Sequence, residues 1–261
     1  MPVTITVLDH VSIGTGAVGD GWKLFGGLLG GTWVYGGNSP GFWWGQLRFR
    51  AGPKIELITP TPGPDSAFLE RFLATRGPGP HHLNFIVSDI TRTLRRVAAL
   101  GIEPVQVRLD DPAWKEAFLR PADAFGIVIQ VAEQSGPPPR LPAPAELGPV
   151  GQPSAFTLVE HYVDDLAAAT RLFESALEGE VVCQPGPGAR SVAELSWPNG
   201  ARLRLVAASG LAAASGQAAQ GSRGAAGALH FSRDDEPFSP AELGRAADLS
   251  RLLGVSLALH S

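Results

Sequence analysis

Two histidines and two other polar residues recur along this chain at nearly the same interval. His10 and His82 each lie at the start of an apolar run, and Glu56 and Gln130 follow them at almost equal distances, each inside a further apolar run. A lone polar side chain on a buried strand needs a hydrogen-bond partner or a metal ion. A single histidine of this kind is more often a core residue than a ligand, but the repeat predicts a duplicated unit whose first and last strands each supply one metal ligand.

Strand alternation indicates which side chains share a face with the two histidines. Residues i and i+2 of a strand point the same way, so His10 pairs with Ser12 and His82 with Asn84 on the polar face. Their neighbours point to the core. Two imidazoles, one carboxylate and one amide oxygen suit one divalent transition metal such as Zn, Ni, Co, Fe or Mn, and they suit Ca or Mg poorly.

These segments resemble the vicinal oxygen chelate superfamily (glyoxalases, bleomycin-resistance proteins and extradiol dioxygenases), and within it most closely the methylmalonyl-CoA epimerases. The resemblance covers about residues 5–133. It implies an α+β fold of paired βαβββ modules around a divalent metal, with His10, Glu56, His82 and Gln130 at the four ligand positions and His81 facing away. The segments that carry it are Leu8-Asp9-His10-Val11-Ser12-Ile13, Lys54-Ile55-Glu56-Leu57-Ile58-Thr59-Pro60, Gly79-Pro80-His81-His82-Leu83-Asn84-Phe85, and Phe118-Leu119-Arg120-Pro121 followed by Gly126-Ile127-Val128-Ile129-Gln130.

Gln130 departs from the family pattern. The epimerases and glyoxalases carry a glutamate at this position, which binds the metal and takes part in proton transfer. An amide cannot accept a proton at neutral pH, so proton transfer is assigned to Glu56 or to water on the metal. The resemblance therefore supports the superfamily and leaves the particular activity open.

Composition excludes several classes of protein. With 44% hydrophobic and 18% charged residues, the 261-residue chain is globular and long enough for two domains. A net charge of −4, a pI near 5.9 and the lack of a basic run argue against a nucleic-acid surface. A single cysteine, Cys183, no basic leader and no long apolar segment predict a cytoplasmic protein without membrane contact.

The predicted elements follow the order strand, helix, strand, strand, strand, and this order occurs twice in residues 1–133. A proline-rich linker follows at 134–153. In the second half of the first module, a helix over 89–100 has Asp89 as its N-cap and Gly101 as its C-cap. Predicted strands lie near 4–13, 32–36, 42–50, 54–59, 82–87, 103–108, 115–120 and 126–132, with another helix near 18–29.

Residues 154–261 repeat part of this pattern and form a degenerate, truncated second module. Helices are predicted over 167–177 and 240–253, and a mobile Gly/Ala/Ser tract over 207–228. The last predicted strand, 255–259, comes before any counterpart of Gln130, so the module has no metal site. It is predicted to cover the first module, to close its site or to dimerise. The places of His10, Glu56 and His82 are taken by Leu158, Arg204 and Ala228.

The predicted substrate-binding residues are Trp44, Gln46 and Arg48, which share one strand face, together with Ser12 and Asn84. Arg48 either pairs a substrate carboxylate or phosphate or is a solvated surface residue. The aromatic run 42–44 either stacks a planar group or forms a hydrophobic lid or interface.

Four further residues are predicted to lie outside the site. Glu116, next to Lys115 on the strand before Gln130, is a carboxylate of undetermined facing and is expected to form a solvated ion pair. His161, His230 and His260 occupy no ligand position in the overlay of the two modules.

The favoured function is that of a divalent-metal-dependent lyase or isomerase of the glyoxalase/epimerase type. It would act on a small carbonyl-containing substrate through a metal-stabilised enolate. One alternative is an Fe(II) dioxygenase of the same superfamily that uses His10, His82 and Glu56. The other is a non-catalytic antibiotic-binding or resistance protein. The predicted partner is a small molecule, with no nucleic acid and no membrane, and a homodimer is left open.

Overall fold

The structure is a computed structural model, and it describes residues 5–136, 142–144, 147–183, 192–208, 226–234 and 236–260. Parts of the predicted linker and most of the tract predicted to be mobile lie outside these residues. No helix among the described residues is long and apolar enough to cross a membrane.

The first module forms a mixed sheet of eight strands in the order β2-β3-β4-β1-β5-β8-β7-β6. Its strands are β1 (Thr6–Gly14), β2 (Thr32–Ser39), β3 (Phe42–Arg48), β4 (Lys54–Pro60), β5 (Gly79–Val87), β6 (Val105–Arg108), β7 (Trp114–Leu119) and β8 (Val128–Gln134). Its helices are α1 (Val18–Trp22, continued by a π-helical stretch Lys23–Leu28), α2 (Ala67–Arg76, after a 3-10 turn Pro64–Ser66) and α3 (Ile90–Ala99).

Strand register shows the predicted duplication directly. β1 runs parallel to β4 with Ser12 opposite Glu56, and β5 runs parallel to β8 with Asn84 opposite Gln130. In both pairs, the residue two positions after the histidine therefore faces the second polar residue of the half-site. The paired modules predicted for the fold are confirmed.

Helix α3 begins and ends at the positions that its predicted capping residues indicate. The Asp89 carboxylate accepts a hydrogen bond from the backbone N–H of Arg92, and Gly101 has a φ of +79° after the last turn. Helix α2, in contrast, was not predicted from the sequence. A hydrogen bond between two side chains marks its start, because Ser66 Oγ donates to the Glu70 carboxylate one turn later at 2.6 Å.

The second module forms a six-stranded sheet in the order β10-β11-β12-β9-β13-β14. Strands β10 and β11 were not predicted. Its strands are β9 (Ala155–Val163), β10 (Glu180–Cys183), β11 (Val192–Ser196), β12 (Arg202–Ala207), β13 (Ala226–Ser232) and β14 (Leu257–His260). Its helices are α4 (Leu166–Arg171, continued by a π-helical stretch Leu172–Ala176) and α5 (Pro240–Leu252).

The position of β14 differs from the sequence overlay. The overlay made it the counterpart of β6, the strand that follows α3, but it pairs in parallel with β13 and takes the place that β8 has beside β5. Direct pairing satisfies backbone groups that β13 would otherwise leave at an open edge. Helix α5 supplies the crossover that two parallel strands require.

By contacts, the chain divides into two compact units, and each combines parts of both modules. The first comprises Met1–Asp9, His82–Pro137 and Leu158–Gly227; the second comprises His10–His81, Pro138–Thr157 and Ala228–Ser261. In the first unit, Phe85 packs against Phe173 and Trp197 with ring centroids 6.0 and 5.3 Å away. In the second, Phe156 and Phe231 stack at 4.6 Å, and Phe49 packs edge-on against both rings.

A buried arginine connects helix α5 to the core of the second unit. Arg233 donates to the Glu242 carboxylate at 2.8 Å and to the backbone oxygen of Leu28 at 2.6 Å. Hydrogen bonds from Arg233, and then from Ser239, lower the pKa of Glu242 from 4.5 to about 2. The contribution of Glu242 to the free energy of unfolding is therefore fully present above pH 4.5 and is lost as the pH falls towards 2.

We expect Glu242→Gln to lower the free energy of unfolding by about 2–3 kcal/mol at neutral pH, because it leaves the buried Arg233 without its counter-charge. The loss of stability between pH 4.5 and 2 should also become shallower. Urea unfolding at several pH values measures both. The control is Asp248→Asn, which removes the exposed pair with Arg251 and should cost less than about 0.5 kcal/mol. Equal effects of the two substitutions would contradict the prediction.

Candidate metal centre

Three of the four predicted ligands come together in the structure. One ligand atom from each of His10, Glu56 and His82 lies within 4.8 Å of the others, and all three residues are buried. They retain only 3%, 7% and 7% of their exposure, respectively. The two imidazoles and the carboxylate make a donor set suited to a divalent transition metal.

The carboxylate of Glu56 is held in place from two neighbouring strands. Ser12 Oγ donates to Oε1 at 2.6 Å, and Gln46 Nε2 donates to Oε2 at 2.8 Å. The register explains both contacts, because Ser12 on β1 and Gln46 on β3 lie directly opposite Glu56 on β4. Nε2 of His10 lies 3.5 Å from Oε1. Two neutral donors therefore fix the orientation of the carboxylate and stabilise its charge.

The second half-site repeats this arrangement around an amide. Asn84 Nδ2 donates to Gln130 Oε1 at 2.8 Å, as Ser12 does to Glu56. Gln130 Nε2 in turn donates to Glu116 Oε2 at 2.8 Å. His82 shares the face of Asn84 and Gln130, because its partner Val128 on β8 is two residues before Gln130.

The predicted ion pair of Glu116 forms with Arg108, and its neighbour Lys115 lies on the other face of the strand. Lys115 pairs with Glu133 at 2.6 Å on the opposite face, since neighbouring residues of a strand point to opposite sides. Glu116 faces Gln130 and also accepts a hydrogen bond from Trp114 Nε1 at 3.0 Å. Its side chain is 13% exposed, although Arg108 approaches from solvent at 3.4 Å.

Two buried amide oxygens indicate that the site is made for a further group. Gln46 Oε1 and Asn84 Oδ1 accept no hydrogen bond within the described part of the chain. Asn84 is fully buried and Gln46 nearly so, and an unsatisfied buried acceptor is costly. A bound ion with its water or substrate would supply the missing donors, so the residues fit a metal.

His81 lies apart from this chemistry. Its ring packs edge-on against Phe72 and Phe68, with centroids 4.8 and 5.9 Å away. Burial lowers the pKa of His81 to about 4, although the charge on Glu56 acts in the opposite direction. The imidazole is therefore neutral at physiological pH and packs as an aromatic residue.

The predicted substrate contacts fall into two groups. Ser12 and Gln46 are buried and bind Glu56, whereas Trp44 is half-buried and Arg48 is exposed. Sequence reasoning did not single out Lys54, which lies two residues before Glu56 on the same face and donates to Tyr35 Oη at 2.8 Å. The i, i+2 spacing from Glu56 was the available signal.

The aromatic run 42–44 does not present a single surface. Trp43 stacks on Trp33 at 6.1 Å, and Phe42 packs edge-on against Phe68 at 5.6 Å. Trp44 shares the face of Gln46 and packs edge-on against Tyr35 at 5.9 Å. Each ring already has an aromatic partner within the protein.

The second module carries an ion-pair cluster where the first has Glu56. Arg204 on β12 lies opposite Glu160 on β9 and Glu194 on β11, as Glu56 lies opposite Ser12 and Gln46. Its guanidinium donates to Glu194 at 3.1 and 3.2 Å. Arg204 therefore places a positive charge where the first module has the carboxylate of Glu56.

Comparison with known proteins supports this description. Residues 9–118 match the model of the Glyoxalase/Bleomycin resistance protein/Dioxygenase superfamily. Most of the first module is thus similar to this superfamily. A search of curated proteins gave no match.

Solved structures show the same fold across both modules. A mutant of 4-hydroxymandelate synthase from Streptomyces coelicolor is similar over 95% of this chain and 76% of its own, with a TM-score of 0.63 and 16% identity. A xylose isomerase-like TIM barrel/4-hydroxyphenylpyruvate dioxygenase fusion protein is similar over 93% of this chain and 38% of its own, with a TM-score of 0.57 and 16% identity. Methylmalonyl-CoA epimerase from Mycobacterium tuberculosis matches 50% of this chain and 89% of its own, with 28% identity and a TM-score of 0.43.

Proposed function

We propose that this protein is a metal-dependent lyase or isomerase of the glyoxalase/epimerase type. Its substrate is a small molecule with a carbonyl group. His10, Glu56 and His82 hold one divalent transition metal, and Gln130 Oε1 is the fourth protein ligand. The observation that carries the proposal is the buried His-Glu-His cluster, whose carboxylate is fixed by Ser12 and Gln46.

The bound ion supplies Lewis-acid stabilisation of the negative charge that develops on a substrate oxygen. Glu56 is the proton-transfer group, because it is the only carboxylate of the cluster. Ser12 and Gln46 orient it, and protonation at one oxygen leaves the hydrogen bond at the other intact. Trp44 and Arg48 lie on the same sheet face as Gln46 and contact the parts of the substrate beyond its reacting carbon.

The test follows exchange of a proton next to a carbonyl in deuterated water. Methylmalonyl-CoA is the first probe, because the resemblance to the epimerases concerns a thioester. We expect the metal-loaded protein to exchange the α-proton without oxygen, and Glu56→Gln to reduce the rate by about 100-fold or more. NMR measures the exchange, with Glu70→Gln on helix α2 as the control.

If this thioester and a panel of small 2-oxo and 2-hydroxy compounds show no exchange with any of the five metals, the proposed reaction is wrong. Loss of exchange in the Glu70→Gln control would also contradict the assignment to Glu56.

A second candidate function is oxygen activation at Fe(II). It is favoured by the composition of the cluster, since two histidines and one carboxylate are the ligand set of many non-haem Fe(II) oxygenases. Oxygen consumption that requires Fe(II) and an organic substrate would support it. Turnover under anaerobic conditions would decide for proton transfer.

A further inference from the structure

The two half-sites contain the same chemical groups in exchanged positions. In the first, the carboxylate is on Glu56 and the supporting amide is on Gln46. In the second, the amide is on Gln130 and the supporting carboxylate is on Glu116. In both, an amide N–H donates to a carboxylate at 2.8 Å between adjacent antiparallel strands.

We propose that Glu116 is the positioning residue of the metal centre, acting through Gln130. This inference rests on the proposed metal site. A carboxylate accepts hydrogen bonds and cannot donate them, so Glu116 requires Nε2 of Gln130 to face it. The Gln130 oxygen must then point to the other side, where Asn84 Nδ2 donates to it. Only the oxygen of an amide can bind a metal, so this orientation makes Gln130 a competent ligand.

Glu116 is itself fixed well enough to act in this way. Its Oε2 accepts from Gln130 Nε2 and from Trp114 Nε1, which lies two residues earlier on the same face of β7. The remaining oxygen lies 3.4 Å from Arg108, whose side chain is 69% exposed. This contact is long and its guanidinium is solvated, so it competes weakly with the shorter hydrogen bond from the amide of Gln130.

The negative charge of Glu116 also makes the amide a better ligand. A hydrogen bond from Nε2 to a carboxylate shifts electron density towards the amide oxygen, because linked hydrogen bonds polarise one another. Partners of metal ligands generally orient them and raise their basicity in this way. The negative charge thus lies on Glu116, the hydrogen-bond partner of the ligand, and not on the ligand Gln130 itself.

The same chain of hydrogen bonds sets the orientation of Asn84. Since its Nδ2 donates to Gln130 Oε1, its Oδ1 is left as a fully buried acceptor with no hydrogen bond among the residues described. Asn84 Oδ1 is then available to a donor such as a water or hydroxyl group bound in the site. Glu116 therefore fixes two amides in succession.

The test measures Co(II) affinity of the full chain by competition with a chelator. Glu116→Met removes the acceptor and should weaken binding about 10- to 100-fold. The double substitution Glu116→Gln/Gln130→Glu restores a hydrogen bond from an amide to a carboxylate. The amide is then at position 116 and the carboxylate at position 130, so the carboxylate is the proposed ligand, as it is in the pair of Gln46 and Glu56. We expect it to recover at least the wild-type affinity. Glu133→Met removes a carboxylate from the opposite face of the same strands and should leave the affinity unchanged.

Wild-type affinity in Glu116→Met would overturn the inference. So would equal loss in the single and the double variants, because a merely structural role would not be rescued by the exchange. The visible spectrum of bound Co(II) should differ between wild type and Glu116→Met if the ligand set changes. If the wild-type protein takes up no cobalt at all, the proposed metal site fails and this inference fails with it, a result distinct from a defect confined to Glu116→Met.

Discussion

His10→Ala and His82→Ala should each reduce the metal content of the purified protein from close to one ion per chain to almost none. Each substitution removes one imidazole from a buried set of three. The remaining ligands hold an ion far more weakly, and we expect an affinity loss of at least about 100-fold. The measurement is elemental analysis of the purified variants, followed by Co(II) titration.

His260→Ala is the matched control for these two variants. His260 lies on the last strand of the second module, is exposed, and is absent from the cluster. Its removal should leave the metal content unchanged. If both cluster variants keep a full complement of metal, the ligand assignment is wrong, whatever the control shows.

Deleting residues 154–261 should unfold the remainder of the chain or make it aggregate. The first compact unit would lose 158–227, and the second would lose 154–157 and 228–261. Phe85 would lose its contacts with Phe173 and Trp197, and Phe49 its contacts with Phe156 and Phe231. Each large aromatic removed from a core costs about 3–5 kcal/mol, whereas a whole protein has about 5–15 kcal/mol of stability.

Size-exclusion chromatography and binding of a hydrophobic dye to a 1–135 fragment would measure this effect. Co-expression with a 142–261 fragment is the control, and it should restore a compact, soluble complex if the loss of the shared cores is the cause. A 1–135 fragment that is monodisperse and unfolds cooperatively by itself would contradict the prediction.

The sequence predicted the candidate site best where strand alternation applies. Two parallel strands place directly paired residues on one face, so the spacing of His10, Ser12 and Glu56 was enough to predict that they share it. The structure confirms the repeat with matched registers in both half-sites. A metal cluster could thus be predicted without any knowledge of distances.

The facing of Glu116 could not be predicted in the same way. β7 is a short strand with polar and apolar residues on both faces, and a shift of one residue in register would turn Glu116 away. The register that pairs β7 with β8, with Phe118 opposite Gln130, places Glu116 on the face of Gln130. The hydrogen bond between Glu116 and Gln130 depends on this long-range pairing.

The π-helical stretches show a different limit of sequence reasoning. Leu29 N–H bonds to the oxygen of Leu24, and Leu177 N–H bonds to that of Leu172, each spanning five residues at the same place in its module. Helices were predicted over both segments, near 18–29 and over 167–177, but a sequence pattern does not distinguish a π-helical end from an α-helical one.

The order of strands in the second module depends on which strand pairs with the free side of β13. The sequence pattern predicts a strand at the residues of β14, and the structure confirms it. A local pattern does not predict which edge of a sheet the strand will join. With no further strands among the described residues to pair beside β13, β14 takes that edge directly. The sequence overlay assumed equal topology and therefore placed β14 wrongly.

The most direct test of this account is the metal content of the wild-type protein, measured by elemental analysis after purification without chelators. The candidate ligands His10, Glu56 and His82 lie in the first module, and in the second Arg204 takes the place of Glu56. We therefore expect close to one transition-metal ion per chain, released by a chelator and rebound as a single site. No bound metal, together with no uptake of Zn, Ni, Co, Fe or Mn by the folded protein, would contradict it.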